Sequence, residues 1–514
     1  MSKEFTSGVS RKSDDSKTSL FVKLILILTA ICIVLVLAYS LISSTGALKR
    51  MATAYTVGDE KVSAMDMSIH YYDVRSNMLN QYGDLLQSYG YTLDATLDSQ
   101  SCIFDSSKTW KEYFLESAKS QAQQVAILCQ EGKAAGYEMT DADKQKLDAY
   151  IASVEEAAAG YDLSVSRYLS AVYGAGTKLS DVESLYEKRY YAAGYYDVKN
   201  ASFEVSDDDI TNYYNENKDQ YDMVDAYYYS FPYTEYTFTE GAEIKEGDPT
   251  SAEQATEMTD ASKQAAKAKA DAALANITTA DTFDAAVKAV AEDEDFTTGL
   301  NSGLKLSDIS STDRGKWLAD ESRAPGDTTV LDNTTDKSYD VVLFVSRYRD
   351  TTQAASVRHI LFKTQTAASD ATDEEKASIQ EANDKVLENL KALWQQWKDE
   401  GGTEDQFAAL AEEKSEDTGS STNGGLYEHF AEGTMVTSFN DWSFDPARKY
   451  GDTDIVESDY GYHLMYFVSN DGDYWYYSIM NTLRDNAYNE WYDGVSPNYA
   501  ASVSSFGMNM VASN

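Results

Sequence analysis

The stretch "SVRHILFK", residues 356–363, decides how the rest of the chain is read. Its β-branched and aromatic residues, in partial alternation, predict a strand. At its centre stands His359, one of four histidines in 514 residues. Such a histidine can be a core residue, a metal ligand or part of an active site. His429 and His463 lie in the same segment, so a metal centre has to be weighed first. The segment has no short His-x-x-x-His pair and no cysteine, and no metal site is expected.

Working outward, "SVRHILF" is followed by an amphipathic helix over 373–399, a short helix over 405–417 and a closing strand "GYHLMYFVS" at 461–469. The same order precedes it. "DAYYYSF" (225–231) is a strand, 251–275 a long helix, 282–293 a short helix and "YDVVLFVSRY" (339–348) a closing strand. The two passages share letters as well as order. "WLADESRAPGDT" (317–328) and "WSFDPARKYGDT" (442–453) hold Trp, Asp, Arg and Gly-Asp-Thr at one spacing, 125 residues apart. "FVS" recurs at 344 and 467, and Phe231 and Phe283 match Phe362 and Phe407. This predicts a tandem pair of α+β domains, 223–350 and 354–470, each a small antiparallel sheet with helices.

Residues 51–222 read as a helical domain, with helices expected at 107–135, 140–159, 161–173 and 178–198. Ser63 with Asp66, Thr140 with Asp143, and Ser206 with Asp209 give helix-start signals. Its many tyrosines (71, 72, 190, 191, 195, 196, 213, 214) are either helix packing or a surface for extended client chains. The tail, 471–514, carries Ile479, Leu483, Ala487 and Trp491 along one side. It is expected to be a helix, running past Gly494, that packs on the N-terminal helices. Cys102 and Cys129 could pair in an exported protein.

Residues 24–42, LILILTAICIVLVLAYSLI, are 19 mostly apolar residues, close to the ~20 needed to span a bilayer. With Lys3, Arg11, Lys12, Lys17 and Lys23 before them, they predict an anchor over 20–43 and a cytoplasmic tail over 1–19. The bulk of the chain would then lie outside the cytoplasm. A cleaved signal peptide ending near "STGA" (44–47) is the alternative. Cys32 follows Ile31 rather than a small residue, which excludes lipidation there. A net charge of −42 argues against nucleic acid or anionic lipid surfaces as partners.

Taken together, "VRHILF", "FAALAEEKSED…NGG", "F.EGTMVTSF" and "GD…V.SDYGYHLM" resemble the parvulin-type peptidyl-prolyl isomerases over most of 356–468. The wider layout is similar to the PrsA- and SurA-like extracytoplasmic foldases. Carried over by position, the resemblance implies His359, His463 and Asp417 as a catalytic network, with Ser458 as a hydroxyl beside the histidine pair. Met435, Phe439 and Phe444 would line a proline pocket. It further implies a membrane-anchored foldase for unfolded exported polypeptides, needing no metal, nucleotide or other cofactor. A non-catalytic holdase and a cell-surface binding protein are the alternatives.

Two departures qualify this. Where the family has Gly-Gly-Asp-Leu-Gly, the chain has Gly424-Gly425-Leu426-Tyr427-Glu428, which puts the loop geometry in question. In the first copy Tyr228 replaces His359 and Asp340 replaces His463, so that copy is expected to be inactive. His429 has no family role and is expected at the surface.

Overall fold

The computed structural model describes residues 45–94, 96–241, 245–293 and 295–511. The apolar segment 24–42 lies outside them, and among the described residues no helix is long and apolar enough to cross a membrane. The described residues form two compact units: 45–203 together with 486–511, and Glu204–Asp485.

In the first unit, helices Ala64–Ser88 and Trp110–Ala135 build one core on Trp110, Phe114, Tyr71 and Met67, while Asp141–Gly160, Val165–Tyr173 and Leu179–Ala201 build a second on Ile69, Leu169 and Val182. Ser63, Thr109 and Thr140 cap three of them, each side-chain oxygen accepting from an N–H in the first turn. A hairpin of β1 (Thr53–Val57) and β2 (Glu60–Ser63) turns at Gly58, whose φ of 57° favours glycine.

The tail is only partly helical. Helix Tyr474–Val495 stops before Pro497, which has no N–H to continue it, and the strand Ala501–Val503 then pairs with β1. Tyr488 and Trp491 of that helix pack on Tyr195, Tyr196 and Leu128. The eight tyrosines are all buried or half-buried, so they belong to helix packing. Cys102 and Cys129 are both free and buried in different clusters.

The second unit begins earlier than the sequence suggested. Helices Asp207–Glu216 and Lys218–Tyr221 group with it, and Tyr214 donates to Asp222 at 2.7 Å. Eight strands follow: β3 (Asp222–Pro232), β4 (Leu300–Lys305), β5 (Thr328–Asn333), β6 (Ser338–Arg349), β7 (Gln353–Lys363), β8 (Leu426–Ala431), β9 (Thr453–Ser458) and β10 (Gly461–Asp473). They form two antiparallel sheets of the same strand order, β4-β3-β6-β5 and β8-β7-β10-β9.

The registers agree residue by residue. Tyr228 faces Val342 as His359 faces Met465, and Ser230 faces Asp340 as Leu361 faces His463. The shared letters make shared contacts. Arg323 lies 4.5 Å over Trp317, and Arg448 lies 4.3 Å over Trp442. Gly326 N–H donates to Phe344 O at 2.9 Å, and Gly451 N–H to Phe467 O at 3.0 Å.

Alternation along β7 and β10 sets two faces. Ile360, Leu464 and Tyr466 meet helices Asp373–Asp399 and Glu404–Lys414 through Leu390, Trp397 and Phe407. Val357, Met465 and Phe467 meet the short helix Thr437–Ser443 through Phe439 and Trp442. His359 and His463 share the parity of this second face.

Candidate active site

A cleft of about 440 Å³ opens over the His359 face of the second sheet. Its lining includes Leu361, Met435, Val436, Phe439, Tyr427, Asp417 and both histidines. His359 and His463 are 2% and 5% exposed, so they form its floor rather than its rim. Phe439 stands edge-on to both rings, with centroids 5.3 and 5.6 Å away.

The loop carrying Asp417 is stitched to β7. Helix Glu404–Lys414 ends, and Ser415 Oγ then accepts the N–H of Leu361 at 3.0 Å while Glu416 N–H donates to Leu361 O at 2.8 Å. Gly419 N–H closes back onto Asp417 Oδ1 at 3.2 Å, a turn that suits an aspartate. The loop then runs through Gly424 and Gly425, with φ of 62° and 70°. The Gly425 carbonyl accepts His359 N–H at 2.9 Å, and a Cβ on Gly425 would sit 2.2 Å from His359 O. The glycine pair therefore holds the backbone approach that the loop needs, despite the changed letters after it.

The polar network is continuous. His359 Nε2 lies 2.8 Å from Asp417 Oδ2, the two Nδ1 atoms of His359 and His463 are 3.1 Å apart, and His463 Nε2 is 2.7 Å from Ser458 Oγ. Burial pushes the Asp417 carboxyl up. The hydrogen bonds from His359, Ser420 and Gly419, with the charge of His359, outweigh that and hold it well below the usual carboxylate range. An ionised Asp417 can only accept, so His359 Nε2 carries a proton. When uncharged, His359 has no second N–H, and its Nδ1 then accepts from His463 Nδ1–H while His463 Nε2 accepts from Ser458. These tautomers are assigned from the partners. Burial, with the charge on His359, pushes His463 down to about 4.

Several positions differ from expectation. Phe444 does not line the cleft. It is half-buried at the C-cap of the short helix and packs edge-on to Phe430 at 5.4 Å. His429 is half-buried rather than free at the surface: it stacks on Tyr477 at 3.8 Å and lies 2.8 Å from Asp471. Ser420 and Tyr427 were not anticipated. Ser420 Oγ is 2.5 Å from Asp417 Oδ2 and 2.9 Å from His359 Nε2. Tyr427 faces Val357 across the β7–β8 ladder, which puts it on the histidine face; strand parity carries that signal once β8 is seen as a strand.

The depressed His463 predicts a pH effect. Unfolded, this histidine binds a proton near 6.5; folded, near 4. Its contribution to stability is complete above pH ~6.5 and is lost as pH falls toward 4, about 2 kcal/mol by pH 5. His70, buried in the first unit beside Arg189 and held near 3, adds a loss of the same sign. Urea titrations at pH 8 and pH 5 separate them. His463→Gln is expected to keep the His70 part of the slope and lose its own; an unchanged slope would refute this.

A four-stranded antiparallel sheet with paired histidines and an aspartate beneath an apolar cleft defines a parvulin-type domain. Residues 341–470 match the PPIC-type PPIASE domain family, so the chain carries such a domain. Among curated proteins, "Foldase protein PrsA 1" of Listeria innocua is 44% identical over 64 residues, 12% of this chain and 22% of that protein. "Foldase protein PrsA" of Exiguobacterium sibiricum is 39% identical over 67 residues, 13% of this chain and 21% of that protein. The matched stretch thus spans about a fifth of these relatives' length. The crystal structure of PrsA from Bacillus subtilis is 18% identical, covering 62% of this chain and 85% of that one, with a TM-score of 0.19.

Proposed function

We propose that this chain is a peptidyl-prolyl cis/trans isomerase that assists the folding of exported polypeptides from an extracytoplasmic position, held to the membrane by residues 24–42. The observation that carries the catalytic part is the His359–His463–Asp417 network directly beneath a cleft walled by Met435 and Phe439. The apolar run, and the similarity to proteins named foldases, support the rest.

Rotation of a peptide bond meets a barrier of ~18–20 kcal/mol because the planar amide is stabilised by resonance. No bond to a second atom is made or broken, so neither a nucleophile nor a cofactor is needed. The site must bind the twisted amide better than either planar form. Met435 and Phe439 hold the proline ring and exclude water, which disfavours the more polar planar state. Asp417 supplies negative charge near the carbonyl oxygen, whose partial charge falls on twisting. His359, His463 and Ser458 fix the orientation of that carboxylate from below.

The test is cis/trans conversion of a short prolyl peptide by the whole chain. Asp417→Ala and His359→Ala are each expected to lower kcat/KM by about 10-fold or more, since both disrupt a charge-assisted hydrogen bond. Conversion by the wild type no faster than the uncatalysed rate would overturn the proposal.

A further inference from the structure

We infer that Tyr427 is a positioning residue of the second copy: its hydroxyl fixes which oxygen of Asp417 is presented to a prolyl substrate. The inference rests on the isomerase reading above and deepens it.

The hydrogen bonds on Asp417 are unevenly divided. Oδ2 lies within reach of three groups: His359 Nε2 at 2.8 Å, Ser420 Oγ at 2.5 Å and Tyr427 Oη at 3.0 Å. Among the described residues Oδ1 receives only the Gly419 N–H, at 3.2 Å. Three donors saturate one oxygen and leave the other with a free lone pair. The carboxyl group is 19% exposed and lines the cleft, so the lightly bonded Oδ1 is the atom left for a substrate.

Tyr427 alone among the three donors comes from β8. Ser420 belongs to the aspartate's own loop, and His359 is buried under it. The tyrosine ring lies against the His359 ring, with centroids 5.4 Å apart and planes at 32°, and meets Phe439 at 6.2 Å. The hydroxyl has been given room: a Cβ on Gly419 would come within 3.1 Å of it. Burial, together with the neighbouring Asp417 charge, pushes the phenol up to about 12, so it remains a donor across the physiological range.

This gives the altered sequence after Gly425 a role. An apolar residue at 427 could supply the wall but no donor. Tyr427 does both. Holding Oδ2 toward the sheet turns Oδ1 toward the cleft, where its charge raises the planar amide relative to the twisted one. Losing the hydroxyl would leave Asp417 two donors on Oδ2 and more freedom to turn.

Tyr427→Phe in the whole chain tests this, because it keeps the ring and removes only the hydroxyl. With a prolyl peptide, kcat is expected to fall by about 10-fold, as for loss of one hydrogen bond to a charged group. KM should stay within about twofold, since the wall is intact. A merely structural role would lower amide protection in the second sheet without splitting kcat from KM. Wild-type kcat in the Phe variant, or a raised KM with kcat unchanged, would overturn the inference alone. A wild-type chain with no turnover would overturn the isomerase reading, and this inference with it.

Discussion

Phe439→Arg is expected to lower turnover of a prolyl peptide by about 100-fold, ~2.7 kcal/mol, while leaving the second sheet folded. The chain itself suggests the experiment. Trp317 and Trp442, each covered by an arginine, fix the alignment of the two short helices at a separation of 125 residues. On that alignment Arg314 stands where Phe439 stands. In the first copy its guanidinium lies 3.8 Å over the Tyr228 ring and 3.0 Å from Asp340 Oδ2. In the second copy Phe439 covers His359 and His463 instead. The same three positions therefore meet in both copies, once as an apolar lid over paired imidazoles and once as an ion pair. A phenyl wall of this size is worth ~1.5–3 kcal/mol when it buries against a proline ring. A guanidinium in its place would also pair with the Asp417 charge. Turnover measured on the whole chain, with circular dichroism as the check on folding, decides it; a loss of less than about fivefold would show that Phe439 is not the proline wall.

The repeat made most of the second unit legible from letters alone. Its two long helices, its opening and closing strands and the exchange of His359 for Tyr228 all follow from matched landmarks, because buried apolar positions and the Trp–Arg and Gly-Asp contacts recur. His463, Asp417 and Ser458 are brought to His359 by a register that the spacing of β7 and β10 encodes. What escaped is short or polar. Strand β4, "LNSGLK", has neither clear alternation nor β-branched residues, and it gains its place by pairing with β3. Phe444 lies past the short helix rather than on it, and sequence spacing cannot tell which of two phenylalanines five residues apart faces the cleft. Tyr427 was hidden by the unfamiliar loop. Arg314 shares no chemistry with Phe439, so only the contacts each makes in its own copy mark them as counterparts.

Arg314→Ala is expected to destabilise the first sheet by about 3–5 kcal/mol, the largest stability effect among these substitutions. Asp340 is fully buried on β6. Its Oδ1 accepts from Ser338 Oγ at 2.8 Å and its Oδ2 from Asn333 Nδ2 at 3.2 Å, but Arg314 is its one ion-pair partner among the described residues. Truncating the arginine leaves a carboxylate inside a cluster of Val224, Ala226, Val342 and Phe344, where neutral hydrogen bonds replace only part of its lost hydration. It also strips the cation from the Tyr228 face. Because the chain has two units, one melting temperature is a poor measure, and protection of the Val341 and Val342 amides against hydrogen exchange is the direct one. Their protection should fall by the stated free energy, while that of Leu464 and Met465 in the second sheet stays constant. The double variant Arg314→Met with Asp340→Leu removes both charges at once and should recover most of the loss, since a buried pair costs far more to break than to replace. Single and double variants losing the same amount would mean that Arg314 acts through packing, and that the ion pair does not stabilise the first sheet.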